Sequence, residues 1–178
     1  AKASLKLLDR SQDMILLTRE LSSLSDSIRE SSRCYECDPC DYVQVSEIFE
    51  EISSHGDVDS IVNFCGSITL KPAAMLTEKD WRQTIAINLD TSFNVSHSAT
   101  KYFKKDFSLV FFSTAAASIG LPNHEAIAAA KAGVEGLSRS IAASYANAGI
   151  RSNVIAPGLV KTKLSDSITR SERAAKLS

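Results

Sequence analysis

Apolar and polar positions change their period repeatedly along this chain, and the changes divide it into short runs and longer amphipathic stretches. Residues 4–8 (Ser-Leu-Lys-Leu-Leu) form a short apolar run, and residues 13–24 carry apolar side chains at helical spacing. A strand and then a helix are expected there. A second strand is expected over residues 33–37, then a helix marked by Val43, Ile48 and Ile52 that stops near His55-Gly56. Residues 60–64 (Ser-Ile-Val-Asn-Phe) read as another strand, bounded by Gly66. From Glu78 a long helical pattern passes through Trp81, Ile85, Leu89, Phe93 and Val95 towards Phe103. Leu109-Val110-Phe111-Phe112 is an unbroken apolar run, of the kind a parallel sheet buries on both faces. A second long helix is expected from Glu125 to about Ala148, and a last strand over residues 152–155 ahead of Pro157-Gly158. The tail from Lys161 to Ser178 is polar and helix-prone.

Strands that alternate with helices predict an α/β protein, with a parallel sheet and right-handed crossovers. The length of 178 residues sets a single domain with room for a buried core. Twenty Lys and Arg against 21 Asp and Glu give a net charge of −1, with no basic block. That argues against nucleic acid or an anionic membrane as a partner. No run approaches the ~18 consecutive apolar residues of a membrane helix, and no signal-peptide pattern opens the chain. A cytoplasmic protein is expected.

Cys34, Cys37 and Cys40 stand as C-x-x-C-x-x-C, a spacing at which thiolates can hold zinc or an iron–sulfur cluster. No fourth ligand follows: Cys65 stands alone, and His55, His97 and His124 are scattered. Cys34 and Cys37 fall in an expected strand, where cysteine behaves as a small buried hydrophobe. No metal site is expected.

The clearest chemistry lies in Glu125-Ala126-Ile127-Ala128-Ala129-Ala130-Lys131-Ala132-Gly133. It resembles the active-site helix of the short-chain dehydrogenase/reductase family, which reads Tyr-x-x-x-Lys, with Ile127 at the tyrosine position. Further segments resemble the family in the same order. Trp81-Arg82-Gln83-Thr84-Ile85-Ala86-Ile87-Asn88-Leu89 is similar to its central helix, in which an asparagine interrupts regular helix bonding. Asn63-Phe64-Cys65-Gly66 is similar to its Asn-Asn-Ala-Gly turn, and Phe112-Ser113-Thr114 to the strand end that carries a catalytic serine. Pro157-Gly158-Leu159-Val160-Lys161-Thr162 is similar to its Pro-Gly motif. The resemblance runs from Ala1 to about Thr162, includes similarity to 3-oxoacyl-carrier-protein reductases, and implies a doubly wound, Rossmann-like sheet.

By that resemblance Asn88, Thr114 and Lys131 are the catalytic group. Asn88 would support a proton relay, Thr114 would polarise the substrate oxygen, and Lys131 would also bind the nicotinamide ribose. Ser113 is expected to face away. Asp9, Asp38, Asn63, Gly66, Pro157, Gly158 and Thr162 would complete the cofactor site. Asp9 falls where an acid holds the adenosine ribose hydroxyls and Asp38 where the adenine ring is contacted. A carboxylate at Asp9 favours NAD over NADP, a preference weakened by the adjacent Arg10. The long helices commonly build the subunit interface in this family, so a homodimer or homotetramer is implied.

The family's Gly-x-x-x-Gly-x-Gly loop, which lays backbone N–H groups on the pyrophosphate, is not found here: none of the seven glycines has that spacing. Counting back ~20 residues from the ribose acid puts the loop before Ala1. In strand order 3-2-1-4-5-6 the first strand is central, and without it residues 4–8 and 60–64 would each present an unpaired edge. The chain is therefore expected to lack the first and last strands, as part of a longer protein. Ile127, finally, can neither donate nor accept a proton. General acid–base catalysis contributes ~10²–10⁴-fold, so an NAD(H)-linked oxidoreductase with impaired proton transfer stands beside a second reading, a non-catalytic nucleotide-binding or assembly module. His124 is a candidate substitute donor, while Tyr145, far along the same helix, reads as a packing residue.

Overall fold

The computed structural model describes residues 4–9, 14–104, 106–160, 162 and 165. Six strands form one sheet: β1 (Ser4–Asp9), β2 (Met14–Thr18), β3 (Ser32–Glu36), β4 (Val58–Asn63), β5 (Ser108–Phe112) and β6 (Arg151–Ile155). Their order is β3-β2-β1-β4-β5-β6, the doubly wound order. β2 runs parallel to β3, and β4, β5 and β6 run parallel to one another. β1 is antiparallel to both of its neighbours.

Two expectations are corrected in this region. Residues 14–18 are a strand rather than part of a helix. Met-Ile-Leu-Leu has no polar gap, and Ile15, Leu16, Leu17 and Thr18 are all buried, which suits a central strand better than a one-sided helix. Helical structure follows as a single 3₁₀ turn at Leu21–Ser23 and then a short α1 (Asp26–Glu30). Nor do residues 4–8 and 60–64 present unpaired edges. They pair with each other, Leu5 across from Asn63 and Leu7 across from Ile61, so β1 fills the central place and satisfies both ladders. The sheet is mixed rather than wholly parallel.

The helices match the apolar periodicity. α2 (Tyr42–Ser54) starts on Asp41, whose carboxylate accepts from the N–H groups of Val43 and Gln44, and it buries Val45, Phe49 and Ile52. α3 (Glu78–Ile85) opens with a reciprocal cap between Thr77 and Asp80. It runs through a wide, π-type turn at Ala86–Asp90 into α4 (Thr91–Tyr102). A short α5 (Ala116–Ile119) precedes α6 (Glu125–Ser144). The core gathers Ile15 and Leu17, Ile61, Leu109 and Phe111 with Val45, Phe49, Val95, Phe103, Val134 and Ile141. β5 alternates: Leu109 and Phe111 are fully buried, whereas Val110 and Phe112 are half-buried. Burial of that strand on both faces is thus not complete among the described residues. The tail beyond Val160 is described only at Thr162 and Ser165, so its expected helix lies outside the described residues.

After α6 the chain closes through Gly149, whose φ of 72° lies in the left-handed region. A Cβ there would overlap the Asp106 carboxylate. Gly149→Ala is expected to lower stability by about 1–2 kcal/mol, read as a fall in the urea midpoint at unchanged slope.

Candidate functional site

Ligands in open α/β sheets bind outside the carboxyl ends of the strands, and there the described residues leave a cleft of about 210 Å³. Arg19 follows β2, Pro39 and Cys40 follow β3, and Cys65, Gly66 and Ser67 follow β4; Gln83, Ile87 and Thr91 close it from the helical side.

The loop after β4 is fixed by two buried amides. Asn63 accepts from the Cys65 N–H (2.9 Å) and donates to the Ser92 hydroxyl (3.2 Å), which ties the strand end to α4. Asn88, with no exposed surface, sits in the wide turn. Its Nδ2 donates to the Ser67 hydroxyl and to the Thr84 carbonyl, both at 3.0 Å, and its Oδ1 accepts from the Ser67 N–H at 3.1 Å. A carboxamide buried without those partners would cost several kcal/mol. Gly66 lies between this amide and α6. A Cβ on Gly66 would stand 3.4 Å from Asn88 Oδ1 and 3.7 Å from Lys131 Nζ, so both polar groups converge on one small space.

Lys131 is 8% exposed and Ile127 5%, one turn apart on the inward face of α6. Burial pushes the lysine down to about 8, with the nearby Cys65 acting slightly in the opposite direction. Ser113 turns away from the cleft, as expected, and donates to Glu135 at 2.6 Å. Thr114 is half-buried, and its hydroxyl accepts from the Ala116 N–H at 3.3 Å at the start of α5. Pro157 accepts from Ala115 through its carbonyl, which brings the Pro-Gly segment beside Thr114. Gly158 is exposed, and the Thr162 N–H donates to Ser165 Oγ. His124 Nδ1 donates to the Pro122 carbonyl at 2.8 Å, so that nitrogen is engaged locally.

Asn88, Lys131, Asn63 and Gly66 are therefore brought together. Asp38 joins them at the cleft edge through Arg19, which meets it at 2.7 Å. Burial works against ionisation of Asp38, but the Cys40 N–H and the Arg19 guanidinium outweigh it and hold the carboxyl below its usual range. Asp9 is not brought in. Its backbone lies across from Val58 at the start of β4, the opposite end of the strand from Asn63, because β1 runs antiparallel. The residues that sequence reasoning missed are Arg19, Ser67 and Cys40. Arg19 was hidden because residues 14–18 read as helix; as the residue after a strand it occupies the ligand-facing end.

The thiols are dispersed. Cys37 and Cys65 are buried and pushed up to about 12 by that burial, with all four cysteines free. Among the described residues no three His, Cys, Asp or Glu side chains cluster for a metal, and no helix is long and apolar enough to cross a membrane.

With this geometry in place the comparisons are informative. A family model described as enoyl-(acyl carrier protein) reductase matches residues 1–178. D-threitol dehydrogenase of Mycolicibacterium smegmatis is 33% identical over 139 residues, 76% of this chain and 54% of that protein. The 3-oxoacyl-[acyl-carrier-protein] reductase FabG of Thermotoga maritima is 30% identical over 147 residues, 81% of this chain and 60% of that protein. A solved structure of a phenylalanine-for-tyrosine variant of ElxO with NADPH bound aligns with a TM-score of 0.80 at 26% identity, covering 88% of this chain and 67% of that one. The chain belongs to the short-chain dehydrogenase/reductase family, on a Rossmann-like fold. It spans little more than half the length of the two curated relatives.

The buried lysine has a consequence for stability. In the unfolded chain the amine stays charged up to its ordinary 10.5, whereas in the folded state it loses its proton near 8. Between those values the unfolded state binds more protons, so stability rises with pH across that window and is lowest below it. Lys131→Met is expected to abolish this rise and to stabilise the ligand-free protein at pH 7 by up to about 3 kcal/mol, measured by urea denaturation at pH 7 and pH 10.

Proposed function

We propose that the chain forms the nucleotide-binding and proton-handling part of an oxidoreductase acting on a carbonyl/alcohol pair of a small molecule. The observation that carries this reading is the convergence of Asn88 Oδ1 and Lys131 Nζ on the space beside Gly66, at the mouth of a strand-end cleft. A buried cation with no hydrogen bond or ion pair at Nζ among the described residues, and a glycine that leaves room for close approach, fit a dinucleotide ribose. A nicotinamide cofactor, when bound, supplies or accepts the hydride. The protein's part is position and electrostatics. Lys131 would bind the ribose, Asn63 and Gly66 would hold the loop against it, and Thr114 would direct its hydroxyl to the substrate oxygen. Pro157, Gly158 and Thr162 would flank the reactive end.

The NAD preference rested on Asp9, which lies at the far end of β4. Arg19 stands at the cleft instead, paired to Asp38. A guanidinium there accommodates the 2′-phosphate of NADP, and the ElxO variant holds NADPH. NADP(H) is the cofactor we favour, with Asp38 left to meet the adenine ring. Self-association as a homodimer or homotetramer and a cytoplasmic place belong to the same reading.

Ile127 supports a second reading, a binding or assembly module without turnover, because a buried hydrocarbon stands where the resemblance implies a phenol. Restoring Ile127→Tyr separates the two. A gain of turnover supports the enzyme, and unchanged inactivity with cofactor bound supports the module.

Titration of the full-length protein with NADPH and NADH tests the site itself. NADPH is expected to bind in the micromolar range and more tightly than NADH. Arg19→Ala is expected to weaken NADPH roughly tenfold, about 1.4 kcal/mol, while leaving NADH almost unchanged. Absence of binding by either dinucleotide would refute the proposal.

A further inference from the structure

We propose that Lys131 itself transfers the proton in this protein: its ε-ammonium protonates the substrate oxygen during carbonyl reduction, and its amine takes that proton back during alcohol oxidation. The inference rests on the oxidoreductase reading above and assigns the role that Ile127 leaves vacant.

Few side chains on or around α6 can stand in for a phenol at the position of Ile127. Its own side chain is a hydrocarbon, 5% exposed. His124 has one ring nitrogen tied to the Pro122 carbonyl, at the loop entering α6. The Cys65 thiol, held up to about 12 by burial, releases no proton near neutral pH. Tyr145 follows the end of α6, eighteen residues on from Ile127. At 1.5 Å per residue that is about 27 Å along the axis. The Thr114 hydroxyl can hydrogen-bond but not ionise in the working range.

Lys131 has the position and the proton affinity that the role requires. It stands four residues after Ile127 on the same helix face, and helical side chains lean back towards the N-terminus. Its four-carbon stem therefore leans towards the turn that carries Ile127, and its Nζ comes within 3.7 Å of a Cβ placed on Gly66. Among the described residues its Nζ has neither a hydrogen bond nor an ion pair, although the residue is more than nine-tenths buried. An ammonium left without a partner in such surroundings is poised for one that arrives with the ligands. Burial has already brought its proton affinity down to about 8, so both forms are populated near physiological pH, the condition for efficient general acid–base catalysis. Cys65 is the titratable group that acts on it among the described residues, and it opposes the larger effect of burial.

The proton balance closes without a further reagent. The Nζ–H bond breaks, nitrogen keeps the electron pair, and the O–H bond of the alcohol forms as the carbonyl carbon gains the cofactor's hydride. The neutral amine then recovers a proton from solvent at the cleft, where Ser67, hydrogen-bonded to Asn88 at 3.0 Å, lines the wall. Asn88 Oδ1 and Nζ both lie within 4 Å of the same point beside Gly66.

Two measurements on the full-length protein decide the matter. The first needs no variant and no turnover: brief acetylation with acetic anhydride across a pH series, with modification of Lys131 quantified by mass spectrometry. Half-maximal reactivity is expected near pH 8, as the buried amine predicts. A rise only above pH 10, or no labelling at any pH, would overturn the proposal. The second is Lys131→Arg, which keeps the charge and the ribose contact but holds its proton at all working pH values. It is expected to bind NADPH within roughly threefold of the parent and to lose carbonyl reduction by about 100-fold or more. Undiminished turnover in that variant overturns the role of Lys131 while leaving the oxidoreductase reading intact. So does a parent protein that binds NADPH yet reduces none of a panel of small aldehydes and ketones, with only the nucleotide-binding reading left standing. If NADPH does not bind at all, the failure lies with the cofactor site instead.

Discussion

The site depends on one buried carboxamide. Asn88 must satisfy donors and an acceptor with no access to water, and its partners lie on both sides of the cleft wall: the Ser67 loop after β4 and the Thr84 carbonyl of its own helix. In an unbroken α-helix that carbonyl would serve the N–H of residue 88, four positions on. Here, in the wide turn at Ala86–Asp90, the Asn88 side chain donates to it. Helical regularity is thus exchanged for a cross-link between the helical layer and the sheet. Because the loop is held at Ser67, Gly66 is held as well, and with it the space that Lys131 faces.

The sheet provides the other constraint. Strand ends deliver Arg19, Cys40 and Cys65 to one side only because β2, β3 and β4 point the same way. β1 contributes no direction of its own: it runs against its neighbours and supplies the backbone pairing that keeps β2 and β4 in a single sheet. The backbone of its last residue, Asp9, lies beside Val58, at the opposite end of β4 from Asn63. The same topology leaves Phe64 and Phe112 stacked at 5.0 Å at the carboxyl ends of β4 and β5, with Phe64 half exposed.

The chemistry follows from what surrounds the lysine. A cation beside a phenol would share its proton economy with that group. Beside a buried isoleucine, desolvation is the dominant influence on its charge among the described residues, with Cys65 acting against it. Arg19 and Asp38, half exposed and paired with each other, form a softer element that a bound anion can reorganise at low cost.

Much of this was legible along the chain. The helical periods around Val45, Phe49 and Ile52 and from Glu78 to Phe103 identify their helices because an amphipathic stripe is a local property. Asn88, Thr114 and Lys131 stand out for their positions in recognisable segments, and Ile127 for its break with the pattern. Residues 14–18 misled because four consecutive apolar side chains satisfy either a buried strand or part of a helix; pairing with β1 and β3 decides between them. The fates of Asp9 and Arg19 could not be read locally either, since the direction of β1 is set by its neighbours. The residue types and their order thus determine the α/β class and the candidate chemistry. Only the tertiary structure decides which charges share the cleft and which amine is buried, because strand direction and desolvation arise from contacts between segments far apart in the chain.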